Sequence, residues 1–458
     1  MNWKTPAILV AACLLGACST LHSTFAFQAE AAPQPITPAV LDMPPLPPAP
    51  AEAEPGAGIV DRIVPARIDA ALKGLVDSGQ LVGVSALVYQ GDKQVYFGAF
   101  GMADREAKKP MTRDTLVQIW SMTKPITGVA LMTLYEQGKF KLDDPLSKYL
   151  PEFADVKVWD GLDADGQPIL VAPKRPITVL DILRHTAGLH EADTKIPALD
   201  DLFKKADPLN KNNTLEEMAQ KLASLPLLYQ PGTRWFYSPG PDLQALLVEK
   251  LSGMSFDEYC QKAIFGPLGM THTFRTVPED QRAKMAASYT WNGEGDFSRD
   301  ADEEDYQYNF QPVALERGSA GLVSSLDDYM RFARMLQNEG ELDGVRILKP
   351  ATVRLMATNW LPDAISEREW LPSKGRVGFG LDFAVRTHLP VGPDEAAGEM
   401  DEFFWDGAYD TLFWVDPLNQ ITAVLLTQYH PFGKVPLHPD FRDAVYGPAM
   451  PNWTPPTP

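Results

Sequence analysis

Residues 119–129, with the sequence IWSMTKPITGV, constrain this chain more than any other stretch. They contain the only Ser-x-x-Lys in the sequence, at Ser121 and Lys124, and an apolar run with helical spacing follows at once. Proline has no N–H and is tolerated only near a helix start, so Pro125 predicts that Ser121 lies at or beside the N-terminal end of a helix. Residues three apart share one face of a helix. The stretch therefore predicts a serine hydroxyl beside an amine.

This pair suggests nucleophilic catalysis. A serine hydroxyl is a poor nucleophile until a base removes its proton, and Lys124 can act as that base or activate another one. A chain of this length and ordinary composition also contains roughly one or two Ser-x-x-Lys matches by chance. The hypothesis therefore depends on partner residues elsewhere in the chain.

Composition and charge narrow the class of protein. With 458 residues, 45% of them hydrophobic, the chain can bury a large core. Its formal net charge of −19 argues against nucleic acid as a partner, because phosphates would be repelled. The acidic cluster at residues 300–305 lacks the spaced glycine and terminal glutamate of a calcium loop, so it predicts a solvated loop. The sequence gives no reason to expect a metal ion or a cofactor.

The first 18 residues resemble a bacterial lipoprotein signal. One basic residue, Lys4, precedes an apolar run from Ala7 to Leu15 that is too short for a permanent membrane helix, and the segment ends in Leu-Gly-Ala-Cys. The resemblance implies cleavage before Cys18 and lipidation of that cysteine, and Ser19 after it implies sorting to the outer membrane. We therefore expect a protein of the bacterial cell envelope, lipid-anchored and facing the periplasm. The alternative is an ordinary secretory peptide.

The rest of the chain divides into a tether and one large folded domain. Residues 19–58 are rich in Pro and Ala and predict an extended, unfolded linker. A folded domain is expected at residues 59–450, followed by a tail at residues 451–458. Cys260 is the only cysteine in that domain, so it has no partner there for a disulfide, and we interpret it as a small buried residue.

Strand patterns occur at both ends of the domain. Residues 81–89 and 94–100 predict a hairpin, and four short β-branched or aromatic runs follow between residues 379 and 428. Helical patterns dominate between these two regions, whereas residues 151–176 have a loop-like composition. We expect an α/β protein of the α+β type: an antiparallel sheet from residues 59–110 and 376–430, flanked by helices, with a mostly helical region at residues 111–375.

Two later stretches offer partners for Ser121. Residues 231–240 (PGTRWFYSPG) predict a loop that carries Tyr237, whose phenol can act as a base only if a nearby cation such as Lys124 favours the phenolate. The alternative is an aromatic ring packed on a loop. Further along, Gly407-Ala408 follows a strand, and small residues let a substrate approach backbone N–H groups that can bind an oxyanion.

With these three stretches the chain resembles the serine hydrolases that include class C β-lactamases, DD-peptidases and family VIII carboxylesterases. The resemblance implies a β-lactamase/transpeptidase-like fold. It also implies that Ser121 is the acylated nucleophile, Lys124 its proton partner and Tyr237 the base, with the N–H groups of Ser121 and Ala408 as the oxyanion hole. Four further stretches are family-like: ITVLDILRHTAGL (177–189), FGPLGMTHT (265–273), GSAGLVSSLDDYMRFARML (318–336) and FWVDP (413–417).

Two departures from the β-lactamase pattern indicate the substrate. Tyr237-Ser238-Pro239 replaces Tyr-x-Asn, and Trp405-Asp406-Gly407 replaces Lys-Thr-Gly, which removes an amide and a cation. Trp405 and Gly407 are then the substrate-binding residues, and tryptophan offers an apolar wall. We expect a carboxylesterase for small esters, with β-lactamase or D-alanyl peptidase/D-aminopeptidase activity as the alternative. Asp406 is unusual in this motif.

Three rival interpretations remain. An α/β-hydrolase is disfavoured because no Gly-x-Ser-x-Gly occurs, although residues 318–321 (GSAG) come close. The second rival is a zinc site. His185 and His190 lack the i, i+4 spacing of helical zinc ligands, so both are interpreted as structural. His430 is interpreted as a loop residue. The third rival is an inactive envelope lipoprotein that keeps the fold as a binding module.

Overall fold

The hairpin predicted near the start of the folded region is present. In the computed structural model, β1 (Gly83–Gln90) and β2 (Lys93–Asp104) pair antiparallel around a two-residue turn. Gly91 in that turn has φ +55°, a conformation that glycine adopts without steric cost. The first six residues of β1 are buried, so this strand lies inside the sheet rather than at its edge.

The structure describes residue 60 and residues 62–293, 295–391 and 395–447. The predicted signal segment with Cys18, the linker at residues 19–58 and the tail at residues 451–458 lie outside the described residues. No helix in the described part is both long and apolar enough to cross a membrane.

One eight-stranded antiparallel sheet joins the two ends of the domain. Its order is β4-β5-β6-β7-β8-β1-β2-β3, and the pairing of β1 with β8 places Leu87 opposite Val424. The predicted fold class is therefore confirmed, because strands from both ends of the domain build a single sheet. The remaining strands are β3 (Lys109–Pro110), β4 (Val377–Phe379), β5 (Ala384–Arg386), β6 (Phe403–Asp406), β7 (Leu412–Asp416) and β8 (Ile421–Leu426).

Helices cover both faces of this sheet. Neighbouring residues of a strand point to opposite faces, and on β7 the Phe413 ring contacts Tyr329 whereas the Trp414 ring contacts Phe441. The helices are α1 (Pro65–Asp77), α2 (Thr123–Glu136), α3 (Val179–Leu183), α4 (Pro197–Ala206), α5 (Leu215–Ala223), α6 (Gly240–Ser252), α7 (Phe256–Cys260), α8 (Gly266–Leu268), α9 (Asp302–Asp305), α10 (Leu326–Gln337), α11 (Pro350–Met356) and α12 (Leu437–Tyr446). Tyr329 belongs to α10 and Phe441 to α12.

Shorter elements connect these layers. Single-turn helices occupy Trp120–Met122, Leu146–Lys148, Pro151–Phe153, Glu279–Lys284 and Leu371–Lys374, and a π-helical turn at Gln261–Phe265 continues α7. Small sheets pair Val117–Gln118 with Val323–Ser324, Val158–Leu162 with Pro168–Val171, Glu341–Leu342 with Val345–Arg346, and Tyr289–Gly293 with Asp296–Arg299 and Tyr429–His430.

Three expectations about local structure were wrong. The acidic cluster at residues 300–305 is not a loop throughout, because Asp302–Asp305 form the short helix α9. The loop-like interpretation of residues 151–176 overlooked the hairpin of Val158–Leu162 and Pro168–Val171, because its Gly and Asp residues lie mainly in the connecting turn. His430 is not a loop residue: it lies in a two-residue strand and contacts Asp300 at 2.9 Å. The hairpin and the strand that contains His430 are ordered by pairing between segments of the chain, which local composition does not reveal.

Candidate active site

Ser121 and Lys124 are brought together as their spacing predicted. Ser121 lies in the single turn Trp120–Met122, which leads directly into α2, and Pro125 lies in the first turn of that helix. The Lys124 Nζ lies 3.1 Å from the Ser121 Oγ and donates to the Ser319 carbonyl oxygen at 2.8 Å. A serine hydroxyl and an amine therefore share a hydrogen bond at the start of the helix.

The environment of Lys124 favours a neutral amine. The side chain is buried, and this burial lowers the pKa of Lys124 to about 8, with a further lowering by Arg317 and an opposing effect from the Asp242 carboxylate. Burial penalises the charged form of an amine because the charge loses its hydration. With a pKa of about 8, roughly one Lys124 side chain in ten is neutral at pH 7 and able to accept a proton.

Tyr237 is the third member of the cluster. Its ring centroid lies 4.5 Å from the Lys124 Nζ, and its hydroxyl is hydrogen-bonded to Ser121. The Trp405 indole N–H donates to the Tyr237 Oη at 3.3 Å. These hydrogen bonds favour the phenolate, but burial outweighs them and holds the pKa of Tyr237 above its ordinary value. The phenol is thus protonated at neutral pH.

The loop that carries Tyr237 is fixed by His185. The Ser238 N–H donates to the His185 Nδ1 at 3.2 Å, so the ring proton resides on Nε2, and the Ser238 hydroxyl lies 3.1 Å from the same nitrogen. The His185 ring also packs against Tyr237, with 4.8 Å between the centroids. Ser238, in the middle of the Tyr-Ser-Pro stretch, is buried and directed towards His185.

The third predicted stretch closes the site at the end of β6. A Cβ at Gly407 would lie only 2.5 Å from the Ile119 carbonyl oxygen, so glycine is required for the turn to lie this close to the nucleophile stretch. Ala408 follows and is exposed, and the next ring, Tyr409, packs on Trp120 with 4.8 Å between the centroids. The N–H-bearing residues proposed as an oxyanion hole therefore belong to two segments in direct contact.

Comparison with known proteins identifies the family of this chain. The family model described as Beta-lactamase matches residues 68–446. The chain belongs to the β-lactamase family. Family members include esterases, acyltransferases and peptidases, so the protein is a member of a family of serine hydrolases built on this fold.

Three similar proteins illustrate the family. The uncharacterised protein MT1414 of Mycobacterium tuberculosis is 33% identical over 366 residues, which cover 79% of this chain and 89% of that protein. Esterase EstB of Burkholderia gladioli is 29% identical over 403 residues, or 83% and 95% of the two chains. The solved structure of EstCE1, described as a hydrolase with promiscuous acyltransferase activity, is 27% identical with a TM-score of 0.67 and covers 83% of this chain and 98% of that one.

The family-like stretch at residues 318–336 contributes to the site through its backbone. Ser319 supplies the carbonyl oxygen that holds Lys124, and its own N–H and hydroxyl both donate to Asp242 at 2.9 Å. The near match to Gly-x-Ser-x-Gly thus holds Lys124, and its serine hydroxyl is already occupied. Asp242 and Arg317, which form an ion pair at 3.2 Å, were not among the predicted site residues.

The sequence also failed to reveal the partner of Asp406. This carboxylate forms an ion pair with Lys374, and both side chains are almost completely buried. The Lys374 Nζ lies 5.1 Å from the ring centroids of both Trp370 and Trp405. The carboxylate of the third motif is therefore paired with a buried cation from a distant part of the chain. No pattern in the sequence links residues 32 positions apart.

Carboxylates line the region beside Lys124 and Tyr237. The Tyr237 N–H donates to the Glu369 Oε2 at 3.1 Å, and Glu191 raises the pKa of both Lys124 and Tyr237. Within the described residues, no group of three or more His, Cys, Asp or Glu side chains is arranged to hold a metal ion. The chemistry available at this site is that of hydroxyl, amine, phenol and backbone N–H groups.

Proposed function

We propose that this protein is a serine carboxylesterase that forms an acyl-enzyme on Ser121 and prefers neutral esters. The observation that carries the proposal is the hydrogen bond from the Trp405 indole to the Tyr237 hydroxyl. The third motif thus has an apolar side chain, Trp405, where the β-lactamase pattern has a free cation. The Ser121–Lys124 hydrogen bond then supplies the nucleophile and its base.

In the acylation step the neutral Lys124 amine accepts the Ser121 proton while the Oγ attacks the ester carbonyl carbon. The developing oxyanion receives hydrogen bonds from the N–H groups of Ser121 and Ala408. Tyr237, protonated and hydrogen-bonded to the Ser121 hydroxyl, passes a proton to the departing alcohol and is reprotonated by Lys124. Water then attacks the acyl-enzyme by the same route in reverse, releasing the acid.

The preference for neutral esters follows from charge and shape. The Glu369 carboxylate accepts a hydrogen bond from the Tyr237 backbone N–H, and a negative charge there disfavours a substrate carboxylate. The Ser238 hydroxyl contacts His185, so the second motif offers no side-chain amide to a substrate amide. Trp370 and Trp405, with 6.1 Å between their centroids, form an aromatic wall beside Tyr237.

A substrate panel tests this assignment. For the full chain, kcat/KM with p-nitrophenyl acetate or butyrate should exceed that with nitrocefin or a D-alanyl-D-alanine peptide by at least about 100-fold, because the site lacks polar partners for a carboxylate and an amide. Efficient nitrocefin turnover would refute the preference and favour the β-lactamase alternative. If no substrate reacts and a fluorophosphonate leaves Ser121 unlabelled, the inactive binding module is the better interpretation.

We also propose that the protein is anchored to the cell envelope through a lipid on Cys18, in the outer membrane facing the periplasm. The support is the lipoprotein-like signal and the Pro- and Ala-rich linker that follows it. Expressed in a Gram-negative host, the full chain should fractionate with membranes and carry acyl mass on Cys18. Cys18→Ala should release it, whereas Cys260→Ala, at a buried site, should stay membrane-bound. Equal fractionation of the two variants would refute the anchor.

A further inference from the structure

Residues 367–374, here called the bridging segment, connect two parts of the active site that are distant in sequence. At one end the Trp235 N–H donates to the Glu367 carbonyl oxygen at 2.9 Å, and the Tyr237 N–H donates to the Glu369 carboxylate at 3.1 Å. At the other end Lys374 forms its ion pair with Asp406 on β6. The segment therefore spans from the loop that carries Tyr237 to β6, the strand that precedes Gly407 and Ala408.

Between its two ends the segment packs an aromatic ring against the site. The Trp370 centroid lies 5.1 Å from Tyr237, 5.3 Å from Trp235 and 6.1 Å from Trp405. Trp370, from the bridging segment, and Trp405, from β6, therefore both pack against the Tyr237 ring. Any shift of Trp370 would free the phenol whose hydroxyl must stay within hydrogen-bond reach of Ser121.

The Lys374–Asp406 pair is built to hold this segment. The side chains are 8% and 11% exposed, so neither charge can be satisfied by bulk water if the other is removed. The Lys374 Nζ also lies 4.9 Å from the Phe432 ring centroid, in addition to the two tryptophans. An amine surrounded by three aromatic faces and one carboxylate has a single favourable position.

We propose that the Lys374–Asp406 pair is a positioning element for Tyr237: it fixes the bridging segment between the Tyr237 loop and β6, and the segment holds the phenol against Ser121 and Lys124. Asp406, unusual in its motif, has this role in place of substrate contact. The inference rests on the proposed function for its kinetic consequences, but its structural consequence, the order of the Tyr237 loop, is independent of any activity.

The kinetic test uses four variants of the full chain. Asp406→Asn and Lys374→Met should each lower kcat for p-nitrophenyl acetate about tenfold or more, with KM within about threefold, because a misplaced phenol slows proton transfer more than it weakens binding. Lys374→Arg, which keeps the pair, should retain most of kcat. The double variant Lys374→Met/Asp406→Asn should lose no more than the worse single variant, since no unpaired charge remains buried.

Hydrogen exchange provides the second test, which needs no turnover. In Asp406→Asn the Tyr237 amide and the amides of the bridging segment should exchange at least about tenfold faster, while those of β7 and β8 stay protected. The control is Asp104→Asn, which breaks the partly buried Asp104–Arg299 ion pair at the far side of the sheet and should alter neither kcat nor these amides.

The outcomes are distinct. Unchanged kcat and unchanged Tyr237 exchange in Asp406→Asn would overturn the inference, and so would a change in KM alone, which would indicate direct substrate contact. Global loss of protection in that variant would make the pair merely structural, a result that also counts against the inference. If the wild-type chain hydrolyses no ester, the proposed function fails, and faster exchange at Tyr237 alone still supports the positioning role.

Discussion

Ser121→Ala is expected to abolish ester hydrolysis, with a loss of kcat of at least about 10⁴-fold, because the variant lacks the hydroxyl that forms the acyl-enzyme. The Ser121 Oγ contacts both the Lys124 amine and the Tyr237 hydroxyl. The measurement is the release of p-nitrophenol from the acetate ester, together with mass detection of an acyl or phosphonyl group on residue 121.

A matched control separates catalysis from folding. Ser224→Ala removes an exposed hydroxyl at the end of α5, which donates to the Lys221 carbonyl oxygen, and should leave turnover unchanged. Undiminished hydrolysis by Ser121→Ala, or fluorophosphonate labelling of another residue in that variant, would refute the proposed mechanism.

Lys124→Met should lower kcat/KM by about 10²- to 10⁴-fold, the range that a positioned general base contributes. Methionine preserves the length and apolar stem of this buried side chain but has no amine to accept the Ser121 proton. Lys124→Arg is the matched variant, since it keeps a positive charge that does not deprotonate. Both variants should be impaired. Activity retained in either would show that Lys124 is not the proton acceptor.

The same residue determines the pH dependence. The reactive form is the neutral amine, and burial lowers the pKa of Lys124 to about 8. In the wild-type protein kcat/KM should therefore rise with pH through about 8 and fall about tenfold per unit on the acidic side. The acidic limb should be absent from the residual activity of Lys124→Met. A limb that persists there would assign the titration to another group.

The sequence left two proton acceptors open, and the proposed mechanism uses Lys124. The Ser-x-x-Lys spacing and the Tyr237 loop suggested either residue as the base. Burial disfavours the charged form of both side chains. It therefore lowers the pKa of Lys124, which is charged when protonated, and raises the pKa of Tyr237, which is charged when deprotonated. The degree of burial depends on packing from distant segments, and no local pattern in the sequence reports it.

Much of the fold was predictable because its signals are local. The turn composition of the first hairpin, the helix start near Pro125 and the short strands near the end of the domain each depend on residues close together in the chain. The hairpin at Val158–Leu162 and Pro168–Val171, and the final helix α12, were not recovered. They are stabilised by contacts with other parts of the fold more than by their own residue pattern.

The sequence by itself identified the groups that are proposed to react: Ser121 and Lys124 at a helix start, the tyrosine on a loop, and a glycine-alanine turn after a strand. These follow from spacing and residue type, which act over a few positions. Only the tertiary structure decided the electrostatics around them. The Lys374–Asp406 pair, the Ser319 carbonyl that holds Lys124 and the Glu369 carboxylate under Tyr237 all join residues far apart in the chain. The first two of these contacts are buried, which only the folded chain produces, and burial sets their strength.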